Sequence, residues 1–419
     1  MTEPTAARER QQEVRQKALG EELRELLDVV GPAQIIDLLL ERAFQLHTTD
    51  IHLDPAEAGL RVRVRVDGML HDVLHVPPAL APQMISRVKL MAGMDITEKR
   101  LARDGHISRP FLGEQRDVRV GSGPTMLGER LVLRLMPGGA RFRRLEELGL
   151  DPDQAEQLRG FLRRPHGMIL AAGPVGSGKS TTMYNCLELV NDPVKSVVTI
   201  EDPVERRVFG VNQIQIEPKI GFGFVEALRG VLRQDPNVVM IGEIRDPETA
   251  HIGVRAARTG MLVLSTLHAN DAAAAFGVFR DFDVPAGLLA ETLQVVLSQR
   301  LLRTVCPHCR FDVAADPAAC EILGIDLREV PDLRLTRGRG CDACFQTGYL
   351  GRTGVFELLG VDDDLKRGLC AGLPRDELMK IGRARGMRSL AAAATRKVLD
   401  GVTTVEEMTR VLLIDPVSR

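Results

Sequence analysis

Residues 173–180 read Gly-Pro-Val-Gly-Ser-Gly-Lys-Ser, and the apolar run Met168-Ile169-Leu170-Ala171-Ala172 stands just before them. An apolar strand that feeds a glycine-rich loop and then a helix, here opening near Thr181, restricts the fold sharply, because such a loop belongs at the carboxyl edge of a parallel sheet. Gly173, Gly176 and Gly178 lack a Cβ, so the loop they form with Pro174, Val175 and Ser177 can take unusual dihedrals and aim its successive N–H groups at phosphate oxygens. The helix N-terminus at Thr181 adds positive partial charge. Lys179 is placed to bridge the β- and γ-phosphates and Ser180 to hold Mg²⁺. The sequence predicts a nucleotide-binding chain, with ATP and Mg²⁺ as its ligands.

The remaining chain is long enough, at 419 residues, for roughly two to four domains. Its formal net charge of -2 gives no field that would concentrate nucleic acid, and 4% aromatic content without tryptophan leaves few stacking platforms for single strands. Nucleic acid is therefore not an expected partner. No window has the length of an uncharged membrane span and the start carries no export signal, so the expectation is a cytoplasmic chain.

Residues 9–30 are rich in Glu and Arg, with Leu19, Leu23, Leu26, Leu27 and Val30 at helical spacing, which predicts an amphipathic leader (1–32) that packs on protein. A small α+β domain follows at 33–137. Its expected elements are helices at 34–45 and 81–94, strands at 49–54, 60–66, 116–122 and 130–135, a hairpin turn at Asp67-Gly68 and a loop at Arg103-Asp104-Gly105. Val62, Val64 and Val66 should face the core while Arg61, Arg63 and Arg65 line the other face as a solvated or salt-bridged row. Asp50, His52 and Asp54 share one strand face too, and carboxylates at that period read as a solvated edge before they read as a metal set. Gly138-Gly139 marks a hinge linker at 138–148. Beyond it, short apolar strands at 168–172, 196–200, 237–241 and 261–265 alternate with helical segments, the pattern of a doubly wound α/β sheet over 149–300.

Hydrolysis needs one carboxylate to polarise water and another to order the metal, both at carboxyl ends of strands beside the loop. Val197-Val198-Thr199-Ile200 runs into Glu201-Asp202-Pro203-Val204-Glu205, and Val238-Val239-Met240-Ile241 into Gly242-Glu243. Glu201 and Glu243 are the candidates, and the residues alone leave their division of labour open, since Gly242 stands where an Asp is usual. His268, at the end of the strand beginning near Leu262, is placed to sense the γ-phosphate.

Cys306-Pro-His-Cys309 and Cys341-Asp-Ala-Cys344 are two C-x-x-C pairs 31 residues apart. Each can present two thiolates from a tight turn toward one tetrahedral Zn²⁺, and four thiolates leave no open position for catalysis. This module is assigned to 301–356, and a helical subdomain to 357–419.

The order of the phosphate loop, Thr-Ile-Glu-Asp-Pro-Val-Glu at 199–205, Leu-Arg-Gln-Asp-Pro-Asn-Val-Val-Met-Ile-Gly-Glu-Ile-Arg-Asp at 232–246 and Ser-Thr-Leu-His-Ala-Asn-Asp-Ala at 265–272 resembles the secretion ATPase superfamily of type II secretion and type IV pilus assembly. In that family these are the Walker A, aspartate-box, atypical Walker B and histidine-box motifs, and the likeness runs over nearly all of 33–413. The resemblance implies a RecA-like P-loop ATPase core with a PAS-like α+β domain and a tetracysteine zinc module. It implies catalytic and metal-ordering roles for Glu201 and Glu243, a coupling role for His268, and charge-stabilising fingers at Arg119 and Arg134. The tetracysteine module marks the assembly or secretion branch.

The chain departs from the family pattern at His106, where Arg is usual, at Met261, where His is common, and at Ala269, which replaces Thr. The expected protein is thus a homohexameric ATPase at the inner membrane, acting on a platform protein there or through a membrane adaptor. A catalytically weak nucleotide-binding scaffold of a secretion complex is the alternative.

Overall fold

A computed structural model of the chain describes residues 23, 25–27, 31–136, 144–326 and 328–412. Most of the amphipathic leader and Gly138-Gly139 of the hinge lie outside the described residues. The chain divides into two compact units, one from 1–140, 305–311 and 337–351 and the other from 141–304, 312–336 and 352–419.

The first unit is built on a six-stranded antiparallel sheet. Helix α1 (Pro32–Gln45) starts where the Gln34 side chain accepts the Gly31 N–H at 3.1 Å, and it buries Ile35, Ile36, Leu39, Leu40 and Ala43 along one face. Strands β1 (Asp50–Ala56), β2 (Gly59–Val66) and β3 (Met69–Val76) precede α2 (Ala81–Met91), and β4 (Arg103–Phe111), β5 (Glu114–Thr125) and β6 (Gly128–Leu135) follow it. The sheet order is β3-β2-β1-β6-β5-β4. Asp67 and Gly68 both take positive φ, 48° and 83°, the left-handed pair that a two-residue hairpin with native twist requires. Val62, Val64 and Val66 are buried with the helices, as their alternation demands.

The opposite face is charged and internally paired. Arg63 lies 2.7 Å from Asp54, Arg130 lies 2.6 Å from Asp54, and Arg65 and Arg134 each lie 3.3 Å from Asp50. His52 Nδ1 lies 2.9 Å from an Arg130 nitrogen, and burial holds the imidazole below its ordinary pKa. Both carboxylates of the Asp50-His52-Asp54 trio are thus engaged by guanidinium groups.

The loop expected at Arg103-Asp104-Gly105 is instead the beginning of β4, paired with Ser122, Gly121 and Val120 of β5. Gly105 serves close packing there and not a turn: a Cβ would stand 2.7 Å from Ala92 O and 2.5 Å from Met94 Cγ. The next amide, that of His106, donates to Ala92 O at 3.1 Å. Gly105→Ala is expected to lower stability by about 1–3 kcal/mol in urea unfolding, because the carbonyl cannot move without loosening that bond.

The second unit carries a seven-stranded sheet. A single 3₁₀ turn at Leu145–Leu148 and α3 (Pro152–Leu162) lead to β7 (Gly167–Ala172), α4 (Lys179–Val190), β8 (Val197–Glu201), β9 (Asn212–Gln215), α5 (Phe224–Val231), β10 (Val238–Ile241), α6 (Pro247–Arg258) and β11 (Leu262–Leu267). Then come α7 (Ala274–Asp281), α8 (Ala286–Thr292), β12 (Leu293–Val305), β13 (Arg310–Ala314), α9 (Pro317–Leu323), β14 (Arg334–Gly338) and β15 (Tyr349–Gly360), with α10 (Asp363–Cys370), α11 (Arg375–Ala384), α12 (Leu390–Leu399) and α13 (Val405–Leu412) closing the chain.

The order is β15-β12-β7-β11-β10-β8-β9, with β12 through β9 mutually parallel. All six residues of β7 are buried, since helices cover both faces: Met168, Leu170 and Ala172 pack among α5 to α8, and Ile169 and Ala171 among α3 and α4. This doubly wound arrangement brings the carboxyl ends of β7, β8, β10 and β11 to one edge, where ligands of open α/β sheets bind.

Candidate functional site

The 173–180 loop leaves β7 at that edge. Gly173, Gly176 and Gly178 have φ of 153°, 78° and 91°, a region closed to most side chains, and Gly178 forms the N-cap of α4. A Cβ on Gly173 would also stand 2.8 Å from Gln299 O. Strand β12 braces the loop from that side, where Gln299 Nε2 donates to Ser177 O at 2.8 Å. Beside it Arg300 donates to Asn270 O at 2.8 Å, and burial lowers its pKa. The buried Lys179 donates to Gly173 O at 2.8 Å and Pro174 O at 3.1 Å. Burial lowers its pKa as well, against the opposing pull of Glu243. Phosphate oxygens are stronger acceptors than these two carbonyls.

Three expected site residues meet at Lys179. His268 Nδ1 lies 3.4 Å from Lys179 Nζ, and His268 Nε2 lies 2.7 Å from Glu243 Oε1, although poorly aligned for a hydrogen bond. His268 Nδ1 also lies 3.2 Å from Gly173 O, the carbonyl to which Lys179 donates. Glu243 Oε2 accepts from Arg245 Nε at 2.7 Å, and Arg245 also approaches Asp202 at 3.5 Å. Gly242 precedes this acid because its strand runs tight against β8. A Cβ there would lie 3.2 Å from Ile200 O and 3.4 Å from Glu201 Cα.

Glu201 is placed differently from the expectation that it faces the phosphate. It is 3% exposed, with one carboxylate oxygen accepting from the Tyr184 phenol and the other from Thr199 Oγ1 and, at 3.1 Å, Gln213 Nε2. Three of its roughly four acceptor positions are taken by protein donors and the carboxylate is buried away from the open edge of the sheet. Glu205, four residues on, is exposed, and its Oε1 lies 3.5 Å from Ser180 Oγ. The sequence offered both acids in one strand-end stretch, and only neighbours from α4 and β9 separate them.

Arg119 and Arg134 lie in the first unit, directly opposite one another on β5 and β6, both exposed. Arg134 approaches Asp50 at 3.3 Å. His106 faces Arg119 across β4 and β5, with Nε2 3.2 Å from Asp117 Oδ1. Met261 and Ala269 pack against the hydrophobic core of the second unit.

Cys306, Cys309, Cys341 and Cys344 converge, with all four Sγ atoms within 4.8 Å of one another. The Sγ–Sγ separations are 3.8 Å for Cys306–Cys341, 3.9 Å for Cys309–Cys344 and 3.7 Å for Cys341–Cys344. A tetrahedron with Zn–S bonds of about 2.3 Å has edges of about 3.8 Å, so the donor set fits one Zn²⁺. The Cys341 and Gly348 amides each donate to Cys344 Sγ at 3.2 Å, the outer contacts that hold a thiolate in place. Gly338 and Gly348 admit the close crossing of the two knuckles, since a Cβ on Gly338 would stand 2.1 Å from Gly348 O. Phe345 stacks on His71 at 4.8 Å, and the Gly351 amide donates to Asp67 at 2.7 Å, so this cluster is seated on the β2–β3 hairpin.

A phosphate loop at the edge of a doubly wound sheet, with a lysine, a histidine and an acid in contact behind it, defines a P-loop ATPase. A family model described as type II/IV secretion system protein matches residues 29–410. The chain is 43% identical over 391 residues to type II secretion system protein E of Pseudomonas aeruginosa, covering 93% of this chain and 77% of that protein. It is 41% identical over 392 residues to type II secretion system ATPase E of Vibrio cholerae, covering 94% and 77%. With the type IV pilus assembly ATPase PilB of Thermus thermophilus it shares 40% over 382 residues, covering 91% of this chain and 43% of that one. Among solved structures, the pilus retraction motor PilT with bound ADP matches at TM-score 0.62 and 25% identity, over 90% of this chain and 96% of that chain. The Legionella pneumophila ATPase DotB shares the fold, at TM-score 0.67 and 20% identity over 91% and 95%. The chain belongs to the type II/IV secretion system protein family, and it is an ATPase.

Proposed function

We propose that this chain is a hexameric ATP-driven motor that powers pilin or pseudopilin assembly through an inner-membrane platform protein. The contact series Lys179–His268–Glu243 carries the reading, because it links a phosphate-binding cation to an acid through a group able to register the state of both. The backbone amides of residues 175–181 and the Lys179 ammonium hold the β- and γ-phosphates of ATP, with Gly173 and Pro174 shaping the loop. Ser180 holds Mg²⁺, which when bound offsets charge on the phosphate oxygens. Glu205 polarises the attacking water, which forms the new P–O bond as the bond to ADP breaks. Glu243 would take the metal-ordering role, arranging the groups around a bound Mg²⁺.

Glu201, expected as a catalytic acid, becomes a buried anchor for the segment that carries Glu205. Arg119 and Arg134 serve as fingers that offset charge developing on the transferred phosphoryl group, a contribution worth about three to five powers of ten in rate where measured. The tetracysteine cluster binds Zn²⁺ as a structural ion. The site of work is the inner membrane surface, and no described helix is long and apolar enough to cross a membrane.

The test is assembly and turnover together. With Mg²⁺ and a non-hydrolysable ATP analogue the full chain should form sixfold rings in negative stain, and with ATP it should release phosphate. A stable monomer at micromolar concentration under both conditions would remove the motor reading.

A further inference from the structure

Tyr184 is a buried titratable group that no step of hydrolysis described above employs. It lies five residues after Lys179 on the helix that the phosphate loop opens, and it is 5% exposed. Its ring belongs to the core beneath the sheet, while its oxygen makes three hydrogen bonds. The phenol donates to Glu201, and it accepts the Glu205 amide at 3.1 Å and the Arg206 amide at 3.3 Å.

A phenol has one proton and two acceptor positions, and all three are spent here. Burial, and then the neighbouring Glu201 carboxylate, push its pKa far above the ordinary range, so it stays a donor. The donated proton has one acceptor, Glu201, whose own burial and bonds to Thr199 and Gln213 prevent it from turning away. With the oxygen fixed from that side, its two acceptor positions can only hold the backbone of residues 205 and 206. Arg206 reinforces the clamp by lying over the Tyr184 ring at 5.0 Å and pairing with Glu188 of the same helix at 2.9 Å.

We infer that the Tyr184 hydroxyl is a positioning residue for hydrolysis, tying the backbone of Glu205 to the helix that carries Lys179 and Ser180 and so setting where the Glu205 carboxylate stands relative to Ser180. Glu201 acts through it as the anchor of the phenol. The inference rests on the reading of Glu205 as the acid that polarises water.

The experiment is a double-mutant cycle in the full chain, read by phosphate release. Tyr184→Phe keeps the ring in its core and removes only the oxygen. It should lower kcat about tenfold or more while KM for ATP changes less than about threefold, since the phosphate loop is untouched. In the Glu205→Gln background, whose residual rate is already low, the same substitution should cost less than about twofold, because the group it positions is gone.

An equal fold-loss in both backgrounds would overturn the inference. So would a Tyr184→Phe chain that melts more than about 10 °C below the parent or no longer binds the ATP analogue, which would place the hydroxyl in folding. Failure of the underlying reading looks different: Glu205→Gln alone would then turn over at the parental rate.

Discussion

Glu243→Gln should abolish phosphate release, by at least about a hundredfold, while leaving the chain folded and able to bind the ATP analogue. The amide keeps the shape of the side chain and still offers Arg245 an oxygen, so the contact at 2.7 Å survives. What it loses is the negative charge 2.7 Å from His268 Nε2, and with it the pull that orients the imidazole whose other nitrogen meets Lys179. An anion near the phosphate is costly in the ground state, and Glu243 offsets that cost by ordering the groups around it, Arg245 directly and Lys179 through His268. The measurement is single-turnover phosphate release beside an analogue-binding titration. A rate unchanged by the substitution would favour the catalytically weak scaffold over the motor.

The parts of this site that the sequence announces are those made by contiguous residues. The loop at 173–180 is marked by its glycines and its Lys-Ser end, and the strands ending at 172, 201, 241 and 267 are short apolar runs buried on both sides, so each is identified without help from the rest of the chain. The strand β12 is harder to foresee because it buries Gln294, Ser298 and Gln299 among its apolar residues. Gln299 is spent on the phosphate loop, a contact across 122 positions of sequence. The same distance effect hides the difference between Glu201 and Glu205. Both follow the same strand, and it is Tyr184 from α4 and Gln213 from β9 that enclose one and leave the other exposed. In β4, Gly105 reads as a loop residue since glycine disfavours strands, yet its backbone is needed against Ala92. The charged row of β2 was legible as a row, whereas its pairing with Asp50, Asp54 and Asp72 depends on strand register.

Removal of the metal from the four cysteines should have the largest effect on stability. Cys344→Ser, or treatment with a strong zinc chelator, is expected to destabilise the first unit by at least about 3 kcal/mol, because binding at a tetrathiolate site is also folding free energy for the turns that supply the ligands. Those turns keep local hydrogen bonds such as Gln346 N to Cys341 O at 2.9 Å and Thr347 N to Cys344 O at 3.0 Å, but these hold an unfavourable backbone. Phe345 and Gln346 take positive φ of 51° and 60°, conformations unfavourable for residues with a Cβ, and the Cys344 sulfur is the acceptor for two amides. Once the thiolates are released from a common ion their mutual repulsion or reprotonation weakens those bonds, and Phe345 loses the support that stacks it on His71. The damage should therefore spread to the β2–β3 hairpin through His71 and through the Asp67–Gly351 bond. Elemental analysis should give one zinc per parental chain and none in the variant. Hydrogen exchange should quicken at residues 67–71 and 341–351 while the core of the second sheet, β7 and β11, stays protected. A parental preparation free of metal that melts at the same temperature as a zinc-loaded one would show that the cysteines hold their turns without an ion.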